Sequence, residues 1–178
     1  MRKACAPLAV AIVLLAVVAS NNSHSQSVPA SKLDFKMLDG WVRDSSAEMS
    51  MNSYRVFVPA GKTIQTSPVA VVITFDRKDL NDKTLDTLKD YWVYDMSQTL
   101  AQEKDAEFSK WQPPALDPAK IPYMSIAITD KTKHMAPQHL VVIEAPDGFY
   151  SVSLTAADKD ILNNVVFNDF FDSLMLRQ

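Results

Sequence analysis

The chain has 178 residues, 47% of them hydrophobic, which is the size of one domain that can hold itself together by its own core. Its formal net charge is −3 and its basic residues are scattered, which excludes the basic footprint of a nucleic-acid binder. One cysteine excludes an internal disulfide, and three glycines exclude a glycine-rich phosphate cradle, which needs several residues without Cβ.

Met1-Arg2-Lys3 precedes an apolar run from Ala4 to Ala19, and small residues follow. That is the charged region, apolar region and cleavage zone of a secretory signal peptide. The run contains Pro7 and falls short of the roughly 20 apolar residues that span a bilayer. Cleavage after Ala19, Ser20 or Ser25 would leave small residues at the positions that matter. The division expected is residues 1–25 as signal and cleavage zone, 26–32 as a polar leader, and 33–178 as a single domain. Cys5 sits inside the signal, so the mature chain has no thiolate to act as nucleophile or metal ligand. Loss of Arg2 and Lys3 leaves sixteen basic residues against twenty-one acidic ones, a net charge of about −5. The expected location is periplasmic or secreted, with no stable membrane insertion once the signal is removed.

In chain order, "KLDFKML" alternates Leu33, Phe35 and Met37 as a strand closed by the Asp39-Gly40 turn. "MSMNSYRVFVP" carries Tyr54, Val56 and Val58 on one face and stops at Pro59. "PVAVVITF" (68–75) is a continuous apolar run, the pattern of a strand covered on both faces. Leu85, Leu88, Trp92, Met96 and Leu100 then form one stripe at helical spacing, with Asn81, Asp82 or Thr84 as caps. Prolines in "QPPALDP" interrupt regular structure. Strands are predicted at 123–129 and 139–145, followed by the turn Ala145-Pro146-Asp147-Gly148. "FYSVSLT" alternates as a strand with one buried and one partly wet face. The closing helix starts near Asn163 or Asn164, with Val166, Phe170 and Leu174 in line and Phe167, Phe171 and Met175 beside them. The fold class expected is α+β: a mainly antiparallel sheet of about six strands with an internal helix and a C-terminal helix packed on it.

Candidate chemistry is sparse. His134 and His139 flank Pro137 and lack the further ligands a zinc site needs. Asp76, Asp79 and Asp82 lack the spacing of a calcium loop and sit beside Arg77 and Lys78. There is no GxSxG elbow to present a nucleophilic serine. No catalytic, metal or cofactor residue is assigned on these grounds. Tyr91, Tyr94 and Trp111 are the candidate interface anchors, because such rings offer large stiff area with a polar tip.

Three segments, "DGWV", "LDTLKDYWVYDM" and "DGFYSVSLTAADKD…FNDFFDSLML", resemble the PsbP-like family, which includes the extrinsic photosystem II protein and the Ran-binding import factor. The resemblance implies that architecture over most of residues 33–176, and a binding or adaptor role with no catalytic constellation to transfer. The function expected is an exported, non-catalytic protein that contacts another protein, such as an immunity protein against a secreted toxin. A carrier of a small apolar ligand, and a hydrolase using His134 or His139, are the alternatives.

Overall fold

The computed structural model describes residues 32–51, 53–78, 84–87, 98, 106–109, 123–130 and 136–177. Seven strands form one fully antiparallel sheet: β2 (Trp41–Arg43), β3 (Arg55–Pro59), β4 (Val69–Arg77), β5 (Ala106–Ser109), β6 (Tyr123–Asp130), β7 (Gln138–Ala145) and β8 (Gly148–Ala156). Their order across the sheet is β2-β3-β4-β8-β7-β6-β5. The centre is the pairing of β4 with β8, nine residues in register from Val69↔Ala156 to Arg77↔Gly148. β7 and β8 form a hairpin through Pro146 and Asp147, with Ala145 facing Gly148 across it. A Cβ at Gly148 would lie 2.3 Å from the Asp76 carbonyl oxygen and 2.5 Å from the Phe75 ring, so only glycine fits there.

The α+β class and the antiparallel sheet agree with the sequence reading, but membership of the sheet differs. The segment beginning at Leu33 leaves the main sheet. Its strand, β1 (Lys32–Asp34), pairs instead with β9 (Met175–Arg177), a strand that follows the closing helix. β2 and β5 supply the two edges in its place. "SSAEMS", to which the sequence reading assigns no element, is helix α1 (Ser45–Ser50), capped by Asp44 Oδ1 accepting from the Ala47 amide. Asp44 Oδ2 accepts from the Ile64 amide as well, so one side chain ties α1 to the loop after β3.

The first face of the sheet carries Phe57, Val71, Ile73, Val141, Ile143, Tyr150, Val152 and Leu154, packed with Phe167, Phe170, Phe171 and Leu174. Two short helices close this face: α2 (Lys159–Leu162), capped by Asp158, which brings in Leu162, and α3 (Val166–Asp172), which brings in the three phenylalanines, with Leu174 just beyond it. Asn164 Oδ1 accepts from the Val166 amide, as the capping signal predicts. Phe171 is fully buried and Phe170 is 2% exposed, but Val166 and Met175 face solvent, so the buried stripe is narrower than the sequence suggests. Met175 escapes because the chain has already left the helix for β9.

The second face is also covered. Val56, Val58, Ala70 and Val72 pack with Ala47 and Ile64, while Leu140, Val142 and Phe149 pack with Leu85. Every residue of β8 is buried, which corrects the expectation of a partly wet face. Between the two apolar clusters Ser151, Ser153 and Thr155 form a buried polar seam, where the Gln138 carboxamide donates to Ser153 Oγ and, at 3.0 Å, to Thr155 Oγ1. Those bonds offset the cost of placing polar groups inside. Residues 85–87 are helical and the Thr84 hydroxyl caps them, accepting from the Thr87 amide. The rest of the predicted stripe, Leu88 to Leu100, lies outside the described residues.

Candidate interaction site

Residues 32–38 run as an extended arm beside α3 and β9. Leu33 sits opposite Leu176 in the ladder, and Leu33 and Leu38 are both buried in the main core. Phe35 packs edge-on against Phe57 and Phe170, with ring centroids 5.5 and 5.4 Å away. The Lys36 amide donates to Ser173 Oγ at 2.8 Å, and that hydroxyl donates in turn to the Phe170 carbonyl at 2.7 Å. Ser173 is therefore a clasp between arm and helix. Beyond the turn, the Trp41 ring meets Phe167 edge-on at 5.9 Å. Asp34 pairs with Lys32 at 3.5 Å and with Arg177 on the neighbouring strand.

This seam gathers exposed apolar surface. Among the described residues six large hydrophobic side chains are exposed, and four of them, Met37, Val165, Val166 and Met175, belong to the arm or to the α3–β9 segment. Scattered exposed apolar residues need no explanation, whereas four of them on the arm and the adjoining α3–β9 segment make this the candidate contact face. The face is of mixed charge, with Lys32, Lys36 and Arg177 exposed beside Asp39 and Asp169. The sequence reading missed it. The visible signal was the charged-apolar-charged pattern of "KLD" at 32–34.

The residues singled out in the sequence are distributed differently. Tyr91, Tyr94, Trp111 and His134 lie outside the described residues, as do Asp79 and Asp82. His139 is on β7, facing Leu154 on one side and Ala127 on the other. Burial lowers its pKa to about 4, so it is neutral at pH 7 and a weak base. Glu48 is buried and saturated: it accepts from the Arg43 guanidinium through both oxygens and from the Val56 amide at 3.1 Å. That pairing raises the Arg43 pKa above its usual value. Lys78 is similarly engaged, with Glu144 at 2.6 Å and the Phe149 ring 5.4 Å beneath it. Among the described residues no three His, Cys, Asp or Glu side chains gather as metal ligands, and no helix is long and apolar enough to cross a membrane.

The chain thus enters an antiparallel sheet through the Asp39-Gly40 turn, closes one face with short C-terminal helices and leaves through a helix clasped by Ser173. Among solved structures the chain is similar to the solution structure of cyanobacterial PsbP (CyanoP) from Synechocystis sp. PCC 6803. The TM-score is 0.53 and the identity 14%, over 89% of this chain and 99% of that one. At that identity the likeness is one of fold, and the fold is PsbP-like. No family model matches the sequence, and no curated protein matches it.

Proposed function

We propose that this chain is an exported, non-catalytic binding protein that contacts another protein. The observation that carries the reading is the exposure of Met37, Val165, Val166 and Met175 along the arm and the α3–β9 segment. Side chains with reactive potential support it too: Glu48 and Lys78 are consumed by structural pairs, and His139 is a poor base at neutral pH. An apolar-ligand carrier would need space between helix and sheet, and Phe170, Phe171 and Tyr150 fill the first-face layer. A hydrolase would need a base titrating near neutrality. Tyr91, Tyr94 and Trp111 join the proposal as further anchors, and an immunity protein guarding the periplasm is its most concrete form.

Two measurements test it. Expression with residues 1–31 intact should give a periplasmic product whose mass places cleavage between residues 19 and 25; an uncleaved or cytoplasmic product refutes export. A partner crosslinked to the folded protein in that compartment should be lost on V165E/V166E, which charges the exposed start of α3 without touching the core. Retention of the partner in that variant, with Tyr91, Tyr94 and Trp111 also replaced, refutes the proposed contact.

A further inference from the structure

We propose that residues 32–38 form an exchangeable arm: the seat it occupies on α3 and β9 accepts the same segment from a second copy of this chain. The arm lies outside the main sheet. Its backbone ladder is three residues long and pairs only with β9, in a separate two-stranded sheet. The central β4–β8 pair is held over nine residues, so the arm opens more cheaply than the centre of the sheet, at the cost of exposing Leu33, Phe35 and Leu38, which the same seat on a second copy would cover again. Its ion pairs join the exposed Lys32 and Arg177 to a largely covered Asp34, so only their basic ends are open to solvent.

The link to the sheet is a hinge. Leu38 and Trp41 close a turn in which the Trp41 amide donates to the Leu38 carbonyl at 3.1 Å, and Gly40 sits at φ 74° with open space around its Cα. Glycine there tolerates φ of either sign, so once the Leu38–Trp41 turn bond opens, a rotation about its N–Cα bond swings the arm while the Gly40 carbonyl keeps the Ala60 amide and Trp41 stays on Phe167. What the arm leaves behind is specific: Phe57 and Phe170 to receive one ring, the Ser173 hydroxyl to accept one amide, Leu176 to meet one leucine, and Arg177 to meet one acid. An extended segment with the order Leu-Asp-Phe-Lys satisfies all of them. The structure shows that match with the chain's own arm, so a second copy satisfies it equally, and exchange of an identical element is a low-cost route to a dimer. The inference is independent of any heterologous partner. Its failure would leave the binding role above untouched.

Lys32 and Arg177 are ladder partners, which places their Cα atoms about 4.5–5.5 Å apart, inside disulfide range. The test uses the purified full chain carrying K32C/R177C with Cys5→Ser, and a fluorescent peptide of residues 31–39 as the probe. The peptide should bind the reduced chain, lose binding when oxidation locks the arm, and regain it on reduction. The Lys36 amide, held by Ser173, should exchange with solvent at least about tenfold faster than amides of β8. Oxidation after incubation at high protein concentration should yield cross-linked dimers. Equal binding to the locked and reduced chains, no binding to the reduced chain, a Lys36 amide as protected as β8, or solely intrachain disulfide at every concentration would each overturn the proposal.

Discussion

Replacing Gly148 by alanine tests the packing of the β7–β8 corner. The added methyl would meet the Asp76 carbonyl oxygen at 2.3 Å and two Phe75 ring atoms at 2.5 and 2.7 Å. All three are inside van der Waals contact, and one belongs to the backbone of the partner strand, where Arg77 faces Gly148 in register. Accommodation requires β4 and β8 to separate at that end, an overpacking cost of about 1–3 kcal/mol. It also displaces Phe75 from Tyr150, a ring pair with centroids at 4.7 Å that is worth about 0.5–1.5 kcal/mol. Together these give roughly 2–4 kcal/mol, which for a domain of this size lowers Tm by about 5–15 °C. Urea and thermal unfolding followed by tryptophan fluorescence measure it. A second variant locates the strain: F75L removes the ring but not the carbonyl, so G148A/F75L should cost less than the sum of its parts without returning to wild type. Strict additivity, or a G148A loss within about 0.5 kcal/mol, would refute the contact geometry.

Phe171→Ala should cost about 3–5 kcal/mol, whereas Val165→Ala, at a residue 71% exposed, should stay within about 0.5 kcal/mol; equal effects would mean that α3 is seated the other way. Glu48→Ala strands the buried Val56 amide and should cost about 1–3 kcal/mol in urea unfolding, with Glu48→Gln milder because it keeps an acceptor. His139 has a folded-state pKa lowered to about 4 against about 6.5 unfolded, so its contribution is present above pH 6.5 and is lost as pH falls towards 4. His139→Gln should flatten the stability profile in that window, and an unchanged profile would remove His139 from the acid response.

The parts of the fold legible in the sequence are those set by local pattern. The β-branched run at 69–75, the Pro-Asp-Gly corner and the caps at Thr84 and Asn164 are each determined by neighbours along the chain, and each is found where the pattern puts it. What was hidden depends on contacts across long separations. "SSAEMS" carries no strong helical stripe; α1 forms because Asp44 caps it and Glu48 is anchored by Arg43 and by β3. "MLR" reads as the tail of a helix until the arm, more than 130 residues earlier, offers it a ladder partner. Ser151, Ser153 and Thr155 read as a wet face, but Gln138 satisfies two of them and lets that face close over. The candidate site followed the same logic: tyrosines and tryptophans drew attention in the sequence, while the seam is made from methionines and valines that only their exposure singles out.

Because Lys32 stands directly across from Arg177, the first and last described residues meet at a single pole. A short bridge would therefore suffice to join the two in a circular permutant, with fresh termini opened in an exposed turn such as the one around Gly61. Immobilisation through a side chain at position 32 or 177 would, for the same reason, turn that one pole towards the support.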